Sequence, residues 1–121
     1  MTPGERSIRD GLWGGRLTPD EALQLVEAEL ARTETASLLV LRGTLIQLPE
    51  SGRLTLDEAR ESFERAIQLA PDDPEAYEEL SHYFDAVMPD HQKAKQFYRL
   101  ALDKGAGPAC QEALQELLAS E

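Results

Sequence analysis

The chain has 121 residues, 41% of them hydrophobic, enough for one domain with a continuous core and too few for two independent ones. Its 12 Lys and Arg stand against 23 Asp and Glu, a formal net charge of −11. Phosphate backbones and anionic lipid surfaces would repel such a chain, so neither nucleic acid nor membrane is expected as a partner. A lone cysteine, Cys110, can close no intramolecular disulfide and build no thiolate metal site by itself, which fits a cytoplasmic setting.

Residues 1–16 carry Glu5, Arg6, Arg9, Asp10 and Arg16 and hold no continuous apolar stretch, so they read as an N-terminal extension, neither signal peptide nor membrane span. Trp13 lies there among Gly11, Gly14 and Gly15 and is expected to fold back over the edge of the first helix, an interface anchor being the alternative. Those glycines follow no strand, so a phosphate loop is not expected. Leu17-Thr18-Pro19-Asp20-Glu21-Ala22 starts a helix over 17–32, with Thr18 as N-cap, Glu21 completing a capping box and Pro19 at the first helical position. The leucine-rich run Leu38 to Leu48 reads as a second helix. Leu54-Thr55-Leu56-Asp57-Glu58-Ala59 repeats the cap and opens a third, with Ala59, Phe63, Ala66 and Ile67 at helical spacing.

Asp73 and Pro74 begin a fourth helix to Val87, with Tyr77, Leu80, Ser81 and Phe84 on one face. Shifted by 35 residues from Ala59, Phe63, Ala66 and Ile67, the residues Ala94, Tyr98, Ala101 and Leu102 mark a fifth helix and an internal repeat. Pro108 to Ala119 forms a sixth with a wet outer face. Pro49-Glu50-Ser51-Gly52, Pro71-Asp72-Asp73, Met88-Pro89-Asp90 and Gly105-Ala106-Gly107-Pro108 separate these segments as short turns, which set neighbouring helices antiparallel.

The pattern of Leu39, Gly43 and Ile46 followed by Ala59, Phe63, Ala66 and Pro71, then Tyr77, Leu80, Ser81 and Phe84 followed by Ala94, Tyr98 and Ala101, resembles the tetratricopeptide repeat (TPR) family. It covers about residues 38–105 well and the ends more weakly. The resemblance implies an all-α fold: antiparallel helix pairs in a short right-handed superhelix of about six helices. In this register 17–32 is an orphan B-type helix, 35–70 and 74–104 are repeats, and 108–119 is a capping helix. Small Gly43 would let the following helix approach closely. The chain departs from the family in a longer first turn and in Ala106 standing where a proline is usual.

What the resemblance implies about function is a non-enzymatic adaptor or scaffold that binds another protein or peptide through its A-type helices. The groove-facing candidates are then Val40, Thr44 and Gln47 from one helix and Glu78, His82 and Asp85 from the other. This mixed, mostly acidic surface suits a basic or polar partner, and an immunity or antitoxin protein neutralising a basic partner is an alternative. The clamp of Lys, Arg and Asn with which some members hold a peptide carboxyl terminus is absent, since the chain has no asparagine. No cofactor, metal or catalytic residue is expected. The competing arrangement is a small metal-dependent sensor or enzyme built on His82, Asp85 and His91; Cys110 lacks an activator and reads as a passive thiol. A monomer or weak homodimer is expected.

Overall fold

Threonine before proline, with glutamate two residues later, is a strong helix start, and the chain uses it at its beginning. A computed structural model describes residues 1–48 and 55–121. Among these the structure is all-helical, with no strand: α1 (Pro3–Trp13), α2 (Pro19–Arg32), α3 (Ala36–Ile46), α4 (Leu56–Leu69), α5 (Pro74–His82), a π-helical turn (Tyr83–Val87), α6 (His91–Asp103) and α7 (Pro108–Ala119). The expected turn at Pro49–Gly52 lies outside the described residues. No described helix is long and apolar enough to cross a membrane.

The six expected helices are all present, and a seventh, α1, occupies the segment read as an extension. Thr2 caps it, accepting from Glu5 N at 3.0 Å, with Pro3 at its first position. The capping boxes at Thr18/Glu21 and Thr55/Glu58 close as expected: Thr18 N donates to Glu21 Oε1 at 2.9 Å and Thr55 N to Glu58 Oε2 at 2.9 Å. Asp73 caps α5 by accepting from Glu75 N. The fourth expected helix is not α-helical throughout. After His82 it widens into the π turn, where Met88 N reaches back five residues to Tyr83 O at 2.8 Å. Pro89 stops the helix beyond it.

Length alone suggested one domain, yet the chain gathers into two compact units, residues 1–66 and 67–121. In a succession of helices most contacts form between chain neighbours, so one chain can divide into local clusters. The first unit is centred on Ile8 of α1, Leu23 and Val26 of α2, Leu38, Leu41 and Leu45 of α3 and Ala59 of α4, all buried. Gly43 is where α3 meets α4: a methyl added there would stand 2.5 Å from the Phe63 ring. In the second unit Leu80, Tyr83, Ala94, Tyr98 and Ala101 are buried, with Leu114 and Leu117 of α7. Gly105, at φ 99°, ends α6 in the left-handed conformation.

A charged residue also lies inside the first unit. Glu5 is fully buried and accepts from Arg9 Nε at 2.9 Å and from the Ser37 hydroxyl of α3, while its Oε1 has no hydrogen-bond partner among the described residues. Thr2 Oγ1 donates to Glu29 of α2 at 3.3 Å, so α1 is held by polar contacts at its start as well as by Ile8.

Two substitutions test these contacts. Gly43→Ala should lower stability by about 1–3 kcal/mol in urea unfolding through overpacking against Phe63, and adding Phe63→Leu should recover part of that loss. Glu5→Ala should cost about 1–3 kcal/mol by removing the acceptor of Arg9 and of the Ser37 hydroxyl; an unchanged midpoint would mean α1 contributes little to the unit.

Candidate functional site

The residues expected to line a groove fall into two groups, one in each compact unit. In the first unit Val40 is 5% exposed, so its side chain belongs to the core and not to a groove. The register implied by the tetratricopeptide resemblance put it in the groove with Thr44, but α3 is apolar on several sides and buries Leu38, Leu39, Val40 and Leu41 in succession. Thr44 and Gln47 are half-buried and turn their polar groups onto their own helix: Thr44 Oγ1 donates to Val40 O at 2.9 Å and Gln47 Nε2 to Gly43 O at 3.4 Å.

The second group is better exposed and more connected. His82 ends α5 and is exposed; Glu78 and Asp85 are half-buried. Tyr98 of α6 reaches them from below, donating its hydroxyl proton to Asp85 Oδ2 at 2.8 Å. The same oxygen lies 3.2 Å from His82 Nδ1, and the two rings meet edge to face. A phenol has one proton. With that proton on Asp85, the second contact is satisfied by an Nδ1–H of His82, which leaves Nε2 with the lone pair in the neutral ring. The π turn supplies the geometry by inserting Asp85 where Tyr98 can bond it.

Burial, then the bond to Asp85 and its charge, push the Tyr98 hydroxyl above the ordinary phenol range. Burial raises Glu79 as well, with Glu75 and Glu78 adding to the effect and His82 opposing it. The Cys110 thiol is 5% exposed, sits 3.6 Å from Tyr98 O and is held above its usual value by burial and by Glu78. Neither the phenol nor the thiol is poised as a nucleophile. Nor do His82, Asp85 and His91 converge: no three His, Cys, Asp or Glu side chains among the described residues are grouped as a metal would require. Beside this cluster Phe84 stacks on Phe97 and Lys93 lies 5.1 Å over the Phe84 ring. Neither Glu78 nor Asp85 is ion-paired to Lys or Arg among the described residues.

Sequence reasoning treated Tyr98 as a core aromatic, equivalent to Phe63. The signal was the hydroxyl itself, since a tyrosine at a buried repeat position needs a polar partner. Trp13, expected to cover the first helix, is 73% exposed, because Ile8 and Leu12 already occupy the inner side of α1.

No protein-family model matches this chain, and no curated protein matches it.

Tyr98→Phe should cost roughly 1.5–3 kcal/mol, the worth of a hydrogen bond to a charged group, and should alter the imidazole proton chemical shifts of His82. Glu79→Gln should raise the melting temperature at neutral pH. Its carboxyl is raised in the folded state, so the charged form penalises folding above that raised value, and the gain should fade once pH falls below the ordinary carboxylate range.

Proposed function

We propose that this chain is a non-enzymatic protein-interaction module of the tetratricopeptide kind, holding a basic or polar segment of another protein against the acidic stripe of α5. The 35-residue repeat supports the family reading: Ala59 and Ala94 are fully closed to solvent, and Phe63 and Tyr98 occupy equivalent buried positions. In that reading the helix pairs run antiparallel and wind as a short right-handed superhelix. Such folds carry no shared chemistry, so activity rests on the side chains displayed.

The observation that carries the binding reading is the unpaired acidity of one stripe. Glu78 and Asp85, without Lys or Arg partners among the described residues, flank the exposed His82, and Tyr98 orients Asp85 and His82. Carboxylates that lack internal cations are available to an external one, and complementary charge speeds encounter and selects partners. Thr44 and Gln47 are subsidiary in this reading. The overall −11 also suits an immunity or antitoxin role against a basic partner, which would use the same stripe.

Affinity capture from native lysate separates these ideas from a passive surface. Wild type is compared with a Glu78→Lys, His82→Lys variant of equal helicity and melting temperature, leaving Asp85 in place to keep the bond from Tyr98. A partner with a basic segment should be retained by wild type, released by salt, and lost with the variant. Equal retention by both proteins would move the interface off α5.

A further inference from the structure

The outer face of α1 differs in chemistry from the rest of the first unit. Ile8 is buried and Leu12 half-buried, whereas Arg6, Asp10 and Trp13 succeed one another at four- and three-residue steps and are all exposed. Arg16 stands just beyond the helix. Together with Pro3 and Ser7, residues Arg6, Asp10 and Arg16 line an open hollow of about 420 Å³, within the size range of sites that hold a small molecule or a few side chains.

Charge makes this hollow unusual. Acids outnumber bases 23 to 12 in the chain, and Arg9, Arg32, Arg42, Arg60 and Arg65 each hold a carboxylate. Arg6 and Arg16 hold none among the described residues, and Asp10 is the single carboxylate in the lining. The wall is therefore locally positive on a strongly negative protein. Trp13, 73% exposed on the same helix face, adds a broad apolar ring. Tryptophan and arginine are the side chains on which interface energy concentrates.

We propose that this face of α1 docks a short acidic segment of a partner protein, its carboxylates on Arg6 and Arg16 and an apolar side chain on the Trp13 ring. The fork of each guanidinium suits a carboxylate in two-point contact. A second copy of the chain would also bring carboxylates, but it would set one −11 charge against another, whereas a short segment brings only its own. This surface is separate from the acidic stripe of α5 and opposite to it in sign, so its occupant differs in kind from the basic partner proposed there.

Trp13 is the only tryptophan in the chain, so intrinsic fluorescence reports on this face alone. The probe is a short acetylated peptide alternating glutamate and leucine, titrated into the full chain at low salt, with its lysine–leucine counterpart as control. The expected result is a saturable blue shift with the glutamate peptide only, weakened by added salt. An Arg6→Ser, Arg16→Ser variant of unchanged helicity should bind at least about tenfold more weakly, and Arg6→Lys, Arg16→Lys should lie between the two. If the double serine variant does not fold, Arg16→Ser alone, outside α1, serves in its place. No shift, an equal response to the lysine peptide, or undiminished binding by the serine variant would overturn the proposal. So would a blue shift that grows with protein concentration before peptide is added, which would assign the face to a second copy.

Discussion

Two helices can approach only as closely as the side chains between them allow, and in this chain that limit is set by a few residues with almost no side chain. Gly43 meets the Phe63 ring where even a methyl would collide, and Ala59, Ala94 and Ala101 are fully buried. Gly43 makes room for Phe63 in the first unit, and in the second Tyr98 is buried on the same helix as Ala94 and Ala101. Close-packed interiors tolerate little volume error, so the Gly43–Phe63 contact fixes how closely α4 lies against α3. The position of α6 in turn decides what Tyr98 can reach.

The polar cluster of Asp85, His82 and Tyr98 depends on that placement. Had Tyr98 been phenylalanine, like its repeat counterpart, Asp85 and His82 would be surface residues with freely rotating side chains. With the hydroxyl present they share one oxygen, and the histidine takes a defined tautomer. An acidic stripe whose members are held in place loses less conformational freedom when a partner arrives. On α1 the chemistry is inverted, with arginines and a tryptophan at the surface while a glutamate is buried beneath them. One acidic chain thus displays two surfaces of opposite sign.

Much of the helical order was legible because helix starts are written in local chemistry. Thr18/Glu21, Thr55/Glu58 and Asp73-Pro74 marked their helices correctly, since a cap depends on residues only three apart. The same grammar stands at Thr2-Pro3-Gly4-Glu5, but the charges and glycines beyond it hid α1, whose apolar side is little more than Ile8 and Leu12. What local pattern could not reveal was set by tertiary contact. Val40 holds a groove position in the register that the resemblance implies, yet it is buried, because α3 is apolar on more than one side. The π turn leaves no mark in composition. Trp13 is exposed because its helix had already filled its inner face with smaller residues.

The π turn also bears on how the chain could change. Each residue added to an α-helix rotates the remainder of that helix by about 100°, and a π turn accommodates such an addition without breaking the hydrogen-bonded ladder. Residues 83–87 close the helix, so the widened turn sets the direction in which Asp85 leaves it, just before Met88 and Pro89. Removing one residue there would restore α-helical phase and swing Asp85 away from Tyr98 while Leu80 and Ser81 stayed in the core. The polar cluster thus depends on the length of this turn as well as on the carboxylate of Asp85 that it carries.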